Sequence, residues 1–240
     1  MPLTPCGRRE PEPPSDPNGT IYVTGENSVE FNTSGNGTIN QNYGINAGAG
    51  GRLEVLTNGV LGTVTINSGK EVVGNGQIVN ALTIATGAGI RPGASPGYLE
   101  TGNFTLAGTY FAELNGTSAI NQHDQISVLG SVDLTGGTLN ATLGYAPTNG
   151  DKLYIVVNDD IDSVTGNFVG LADESAVLLT FNAVTYNFTI SYDGNSTTGA
   201  TTTGGNDVVL YFTAIPEPSV ALLLFAGLGA MAARRRRNNG

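Results

Sequence analysis

The sequence predicts an all-β fold made of short strands and tight turns. The 240-residue chain contains 35 Gly, is rich in Asn and Thr, and has only 12% charged residues. Val, Ile and Thr suit the pleated surface of a strand, whereas Gly and Asn accept the positive φ of tight turns. From Ile21 onward, short alternating runs are separated by Gly and Asn, as in GTVTINSG, NALTIATG, GNFTLAGT and GSVDLTGG.

Those four runs share one pattern, in which two apolar side chains flank a polar one. The pairs are Val64 and Ile66, Leu82 and Ile84, Phe104 and Leu106, and Val132 and Leu134. Because side chains alternate across a strand, each pair is predicted to point inward, with Thr65, Thr83, Thr105 or Asp133 facing water. The steps from 64 to 82, 104 and 132 are 18, 22 and 28 residues. Such intervals favour the stacked coils of a β-solenoid, with a two-sheet sandwich as the alternative.

The chain divides by composition into three segments, residues 1–19, 20–213 and 214–240. Residues 1–19 contain six prolines and no apolar core of a signal peptide, and we expect a disordered leader there. Residues 20–213 form the β body. Within it, residues 145–213 carry longer apolar runs, KLYIVVND and SAVLLTFNAVTYNFTISYD. We expect this region to cap the open end of the body, because an uncovered last coil would expose unpaired backbone.

The charge distribution excludes nucleic acid as a partner. The formal net charge is −10, and the basic residues between positions 21 and 213 are Arg52, Lys70, Arg91 and Lys152 alone. Such a body repels anionic polymers. Cys6 is the single cysteine, so the chain has no intramolecular disulfide.

Signatures of catalysis are sparse. His123, the single histidine, lies beside Asp124 in the polar stretch NQHDQ, and we expect an ordinary polar turn there. A zinc centre or a Ser-His-Asp triad is not predicted, because neither further histidines nor a recognisable nucleophile turn are present. Tyr98 and Tyr110 are isolated and Trp is absent, so aromatic platforms for sugars are few. We therefore expect no enzyme and no cofactor.

One acidic stretch, NDDIDS, suggests a weak calcium site. Asp159, Asp160 and Asp162 offer the oxygen ligands that Ca²⁺ prefers. The stretch lacks the glycine and the distal glutamate of an EF-hand loop. An acidic surface turn without metal is the alternative interpretation.

The body resembles the β-helical passengers and autotransporter-associated repeat proteins of bacterial surfaces. The resemblance runs over about residues 55–212 and is carried by stretches such as GNGQIVNALTIATGAGIRPGASPG and DQISVLGSVDLTGGTLNATLG. It implies a right-handed parallel β-helix used as an exported scaffold. The chain departs from true autotransporters because it leaves no room for their C-terminal membrane barrel.

The C-terminal stretch, residues 214–240, resembles the PEP-CTERM sorting signal. Three elements stand in the family's order: Pro216, Glu217 and Pro218, then an apolar run, then Arg234, Arg235, Arg236 and Arg237. The apolar residues of the predicted short membrane helix are Val220, Leu222, Leu223, Leu224, Phe225, Leu228 and Met231. The resemblance implies transient anchoring in the inner membrane of a Gram-negative bacterium and cleavage by an exosortase near the Pro-Glu-Pro motif.

Physical chemistry favours a weak anchor with a fixed orientation. As a helix, Val220 to Ala233 would measure about 21 Å, less than the roughly 30 Å of a hydrocarbon core. The four arginines would hold the C-terminus in the cytoplasm and leave the body outside. Residues 1–19 do not supply the export signal that such a tail requires, so we expect a start further upstream or an unconventional leader.

These observations predict a non-catalytic scaffold or adhesion protein of the cell surface or biofilm matrix. Its expected partners are the exosortase and inner membrane during sorting, and afterwards exopolysaccharide or other matrix proteins. The alternative is an extracellular polysaccharide-degrading enzyme on a β-helix, for which the abundant carboxylates would supply the acid and base.

Overall fold

The computed structural model describes residues 20–23, 38–40, 51–55, 60–93, 96–159 and 161–214. These residues form strands, turns and bridges and contain no helix, so the prediction of an all-β chain is confirmed for them. The strands are β1 (Thr20–Val23), β2 (Thr38–Asn40), β3 (Gly51–Val55), β4 (Val60–Ile66), β5 (Lys70–Gly74), β6 (Gln77–Ile84), β7 (Gly89–Pro92), β8 (Tyr98–Leu106), β9 (Thr109–Leu114), β10 (Gln125–Val128), β11 (Val132–Asp133), β12 (Thr138–Leu143), β13 (Lys152–Asn158), β14 (Ala176–Phe181), β15 (Val184–Gly194) and β16 (Asp207–Phe212).

The strands belong to two sheets, and successive strands from β1 to β10 alternate between them. The six-stranded sheet has the order β1-β3-β5-β7-β9-β12, and every pair in it is parallel. The ten-stranded sheet has the order β14-β15-β16-β13-β10-β8-β6-β4-β2, with β11 beside β8. Its pairs are parallel from β2 to β13 and antiparallel from β13 onward.

The four apolar pairs found in the sequence lie in neighbouring strands and in register. Val64, Leu82, Phe104 and Val132 are successive Cα partners across β4, β6, β8 and β11. All four side chains are buried. The polar residues between the pairs, Thr65, Thr83, Thr105 and Asp133, form a second row on the opposite face. The predicted inward and outward assignment is therefore confirmed.

The core lies between the two sheets. Rows of the ten-stranded sheet, including Ile66, Ile84 and Leu106, belong to one cluster with Ile90 and Tyr110 of the six-stranded sheet. A fully buried Leu, Ile or Phe side chain contributes about 1.5 to 3 kcal/mol relative to its exposed state. Each strand alone would leave its apolar row exposed, so adjacent strands stabilise one another.

A β-bulge in β6 interrupts its pairing with both neighbouring strands, β4 and β8, and each neighbour has a glycine opposite the bulge. Ile78 pairs with Thr101 and Ala81 pairs with Asn103, so two residues, Val79 and Asn80, lie opposite Gly102 alone. On the other side, the register with β4 skips from Leu61 to Thr63, so Gly62 occupies the corresponding position. A Cβ atom on Gly102 would lie 2.7 Å from the carbonyl oxygen of Val79 and closer still to that of Asn80. Glycine is therefore required where the bulged backbone approaches the next strand.

We expect Gly102→Ala to destabilise the protein by about 2 kcal/mol, because the new methyl group overpacks against two backbone carbonyls. The free energy of unfolding in urea measures the effect. The matched control is Gly89→Ala, a strand glycine without positive φ whose added Cβ would meet only side-chain atoms, the nearest of them in the Phe111 ring at 3.0 Å. Equal losses in the two variants would contradict the explanation by a clash with backbone carbonyls.

The region from β13 to β16 differs in pairing from the rest of the body. β16, β15 and β14 follow β13 by antiparallel pairing, and β14 is the terminal strand of the ten-stranded sheet. β14 also lies close to β12, the terminal strand of the other sheet. A two-residue turn joins β14 to β15, with φ of 48° at Asn182 and 63° at Ala183. Two positive φ values are typical of a type I′ turn, in which Asn followed by Gly is preferred.

Ala183 therefore occupies a position that favours glycine. An L-residue in this conformation is strained by about 1 to 2 kcal/mol, whereas Gly adopts it freely. We expect Ala183→Gly to raise the free energy of unfolding by about 0.5 to 1 kcal/mol, the net of relieved strain and greater unfolded-state entropy. Ala172→Gly, at another exposed position of the same region, is the control and should stabilise nothing. Unchanged or lower stability in the Ala183 variant, measured by urea unfolding, would refute the assignment of strain.

Candidate functional site

The carboxylate of Asp124 joins the two sheets. The side chain is 2% exposed. Its Oδ1 accepts a hydrogen bond from the backbone N–H of Gly97 at 2.8 Å. Its Oδ2 accepts one from the backbone N–H of Glu113, also at 2.8 Å. Gly97 immediately precedes β8 of the ten-stranded sheet, and Glu113 lies in β9 of the six-stranded sheet. One side chain thus satisfies buried backbone donors at the edges of both sheets.

Backbone and tyrosine hydrogen bonds reinforce the same connection. The N–H of Asp124 donates to the Glu113 carbonyl at 2.9 Å, and the N–H of Gln125 donates to the Gly97 carbonyl at 2.9 Å. The Tyr110 hydroxyl oxygen lies 3.2 Å from the carbonyl oxygen of Asp124 and 3.1 Å from that of Ile155, so the two carbonyls share its single proton. We call Gly97, Tyr110, Glu113 and Asp124 the inter-sheet joint.

Burial shifts the titration of the groups at the inter-sheet joint. Loss of water raises the pKa of Asp124 to about 6, while the two backbone N–H bonds act in the opposite direction. Glu113 adds a smaller upward contribution and Arg91 a smaller downward one. Burial lowers the pKa of the adjacent His123, whose Nδ1 lies 3.0 Å from the Gly116 carbonyl oxygen. Burial also raises the pKa of the Tyr110 hydroxyl.

The geometry assigns a structural role to residues that the sequence suggested were an ordinary polar turn. The stretch is a turn as far as Gln122, but His123 and Asp124 are both almost fully buried, which the sequence did not indicate. Both carboxylate oxygens of Asp124 are bonded to backbone N–H groups. A general acid or base must reach the proton it transfers in a substrate. The inter-sheet joint therefore holds the sheets together and does not present a reactive group to solvent.

The residues of the predicted calcium site follow the end of β13. Asp159 and Asp162 belong to the described part of the chain, and Asp160 lies outside it. The carbonyl oxygens of Asp159 and Asp162 accept hydrogen bonds from Asn206 Nδ2 at 3.0 and 2.8 Å. Asn158 Nδ2 also donates to the Asp162 carbonyl at 2.8 Å. Amide side chains thus fix this loop, and the calcium site stays a prediction.

Asn206 and Asp207, which lie beside this loop, were not predicted to have a role. Asp207 accepts hydrogen bonds from the backbone N–H of Asn158, at 2.8 Å, and of Ser196, at 2.6 Å. Asn206 and Asp207 follow a Gly-Gly pair at the start of β16. An Asn-Asp pair at the start of a strand is the sequence signal for a role in holding neighbouring loops. Within the described ranges, no group of three or more His, Cys, Asp and Glu could hold a metal ion.

A shallow polar pocket of about 480 Å³ opens next to this loop. Asp193, Asn195 and Asn206 line it together with the hydroxyls of Thr202 and Thr203. Ile161, which is 97% exposed, stands at its rim. The pocket offers hydrogen-bond donors and acceptors beside one apolar side chain, a combination suited to weak contact with a polar, hydroxyl-rich ligand.

Arg91 lies on the outer face of the six-stranded sheet between an aromatic ring and a carboxylate. Its guanidinium carbon is 3.6 Å from the centroid of the Phe111 ring, and its Nε is 3.3 Å from Glu71 Oε2. Both charged side chains are exposed to solvent. Such an ion pair stabilises the fold weakly, and the cation–π contact adds about 0.5 to 1 kcal/mol.

The predicted sorting and anchoring residues, from Pro216 to Arg237, lie outside the described residues, as does the expected leader at residues 1–19. Within the described ranges, no helix has the length and apolar character needed to cross a bilayer. Comparison with protein-family models, with curated proteins and with solved structures finds no match to this chain.

The pKa of Asp124 makes a prediction about stability and pH. The pKa in the folded protein, about 6, exceeds the ordinary value of 3.8. The folded state therefore holds this proton more tightly than the unfolded state does. Its contribution to stability is complete below pH 3.8 and is lost as the pH rises through 6. The stability advantage of the wild type over Asp124→Asn should shrink as the pH rises from 3.8 through about 6 and stay constant at higher pH.

Urea unfolding of both proteins at several pH values measures this difference, and other titrating groups, including His123, cancel in the comparison. The Asn variant should be less stable at every pH, because an amide replaces one of two acceptors with a donor that faces an N–H. A stability difference that grows with pH would mean that the pKa of Asp124 is lowered in the folded protein. In that case the two N–H hydrogen bonds would stabilise the carboxylate by more than burial destabilises it.

Proposed function

We propose that the two sheets are faces of a right-handed parallel β-helix and that β14 to β16 form its cap. Four features support this interpretation: alternation of successive strands between the sheets, parallel pairing, in-register apolar rows, and one shared core. Connections between parallel strands are right-handed in nearly all proteins. The change to antiparallel pairing at β13 and β16 is what a cap requires, because it ends the addition of parallel strands.

We further propose that the chain is a non-catalytic, exported scaffold of the cell surface or biofilm matrix. The observation that carries this proposal is the repetition of one layer from strand to strand, with an apolar row inside and a row of small polar side chains outside. Thr65, Thr83 and Thr105 form the central part of the outer row. A stiff body that repeats hydroxyls at the strand spacing of about 4.8 Å suits many weak contacts along a polymer.

Export and sorting enter the proposal through the C-terminal sequence. The Pro-Glu-Pro motif, the apolar run and the four arginines stand in the order of the PEP-CTERM signal. On this proposal the signal holds the chain transiently in the inner membrane until an exosortase releases the body. Exopolysaccharide or another matrix protein is then the partner of the outer faces.

Cell fractionation tests the sorting proposal. A secretory leader and an epitope tag are placed before Thr20, and the chain is produced in a Gram-negative host with and without an exosortase. We expect the tagged body in the medium or on the cell surface when the exosortase is present and in the inner membrane when it is absent. Removal of residues 216–240 should abolish membrane retention in both hosts.

A variant with Pro216, Glu217 and Pro218 all replaced by Ala is the matched control. It keeps the apolar run and the arginines, so it should be retained in the membrane and not released. Identical distribution of the full chain, the truncated chain and the triple variant would exclude a sorting role for this segment.

A further inference from the structure

An apolar groove lies where the terminal strands of the two sheets, β12 and β14, come close to each other. Its volume is about 640 Å³, and Phe111, Leu139, Val169 and Leu178 are among the uncharged residues that line it. Val169 is 61% exposed and Leu178 is 67% exposed. Large apolar side chains of this exposure, gathered in one groove, are typical of an interaction site. Because the two strands are already close, an occupant lies over their side chains and does not add a strand between them.

The chain leaves the described body close to this groove. β16 ends at Phe212, which pairs with Phe188 of β15, and Phe188 pairs with Val177 of β14. Phe212 therefore lies two strand spacings, about 10 Å, from β14. The Ala214 N–H donates a hydrogen bond at 2.9 Å to Asn149 Oδ1, in the loop from β12 to β13. The segment that follows Ala214 thus starts near both strands that flank the groove.

This C-terminal segment has the reach and the length to cover the groove. Six residues lead from Ala214 to Val220, where the apolar run begins, and they span up to about 20 Å when extended. This reach exceeds the distance to β14. The apolar run, residues 220–233, would measure about 21 Å as a helix. The six residues of β14 extend over about 20 Å, so the run and the strand match in length.

Charge also favours the C-terminal segment as the occupant. Residues 216–240 contain four arginines and one acid, Glu217, whereas the rest of the chain carries a net negative charge. Two exposed acids, Asp173 and Glu174, lie just before β14. The body therefore attracts this segment, although it repels a second acidic body. Contact between the run and the groove removes apolar surface of both from water.

We propose that the apolar run, residues 220–233, occupies this groove when the chain is in water. The run covers Val169 and Leu178, and the arginines that follow it lie toward the acidic surface of the body. A bilayer offers the same run an apolar environment, so the groove and the membrane compete for it. The groove is then open when the run is in the membrane and covered when it is not.

The docking is measured on purified protein and does not depend on export, but its consequence rests on the proposed sorting function. Cleavage near the Pro-Glu-Pro motif removes the occupant and opens the groove to a matrix partner. Failure of the docking leaves the fractionation experiment unaffected, so the two proposals fail separately.

Tryptophan fluorescence of the full chain tests the docking. The sequence contains no Trp, so Leu178→Trp places a single probe in the groove. We expect this variant to emit at a shorter wavelength than the same variant with Leu222, Leu223 and Leu224 all replaced by Ser, because the apolar run shields the indole from water. The difference should be the same at every protein concentration, since probe and occupant belong to one chain.

Two matched controls accompany this measurement. Leu129 is 50% exposed and follows β10, and Leu129→Trp should emit at the same wavelength with and without the three serines. A Leu178→Trp chain with Pro216, Glu217 and Pro218 replaced by Ala keeps the apolar run, so it should keep the emission at shorter wavelength. Circular dichroism confirms that all variants retain their strands.

Disulfide formation within the chain gives a second measurement without a bulky probe. In a Cys6→Ser background, Leu178→Cys is combined with Leu224→Cys, and the control combines Leu129→Cys with Leu224→Cys. We expect the intramolecular disulfide to form about tenfold faster in the first chain, because docking raises the local concentration of the second thiol. Non-reducing gels and peptide mass spectrometry separate bonds within a chain from bonds between chains.

Three results would overturn the proposal. Equal emission of the Leu178→Trp chain with and without the three serines, together with equal disulfide rates at positions 178 and 129, would mean that the run does not occupy the groove. A difference in emission that grows with protein concentration would identify a second copy as the occupant. A shift to shorter wavelength that appears only on addition of exopolysaccharide would assign the groove to that polymer.

Discussion

The fold depends on the in-register parallel pairing of strands whose apolar side chains face one interior. Val64, Leu82, Phe104 and Val132 remain directly opposed although the chain between them grows from 18 to 28 residues. A shift of one residue in any pair would place its apolar row in water. Variation in length is therefore confined to loops and to the bulge at Val79 and Asn80, which absorbs extra residues without changing which face is buried. Gly102 makes that accommodation sterically possible.

Two sheets that share a core must also be connected where the chain passes between them. Backbone groups at such corners lose water without gaining a partner in a ladder. The carboxylate of Asp124 supplies two acceptors there, and Tyr110 adds a donor that reaches Ile155 on the far side of the core. The elevated pKa of Asp124 is the electrostatic cost of this arrangement. Because both oxygens are bonded, the cost is smaller than that of leaving two buried N–H groups unsatisfied.

The sequence predicted those parts of the fold that depend on local periodicity. The apolar pairs and their intervening polar residues could be read directly, because the two-residue alternation of a strand is visible in single runs. The inter-sheet joint could not be predicted in this way. Asp124 and Gly97 are separated along the chain, and their contact depends on loop paths that no period encodes. Tyr110 is an example of the same limit, since its sequence context did not distinguish a surface aromatic from a fully buried one.

For the candidate site, too, features within one segment could be predicted, and contacts between distant segments could not. The acidic stretch at positions 159 to 162 was visible in composition, but the partners of its carbonyls, especially Asn206, come from a distant strand start. The resemblance of the tail to a sorting signal rests on three elements that are contiguous in sequence, and that assignment stays a prediction. Contacts between distant segments could be found only in the structure.

Stacking of strands also explains why a chain of net charge −10 has so few charged residues. In parallel neighbours, an outward residue lies beside the residue at the same position in the next strand, about 4.8 Å away. Like charges at directly opposed positions destabilise a sheet, and each outward row repeats this contact along its length. In the described registers no acidic residue lies opposite another: Glu100 lies between Gln77 and Ser127, and Asp133 pairs with Thr105. Neutral residues such as Thr65, Thr83 and Thr109 fill many of the other outward positions, and Glu71 lies opposite Arg52 and Gly89. The sparse charge of the outer faces, in which like charges are kept apart, is thus a consequence of the pairing of neighbouring strands.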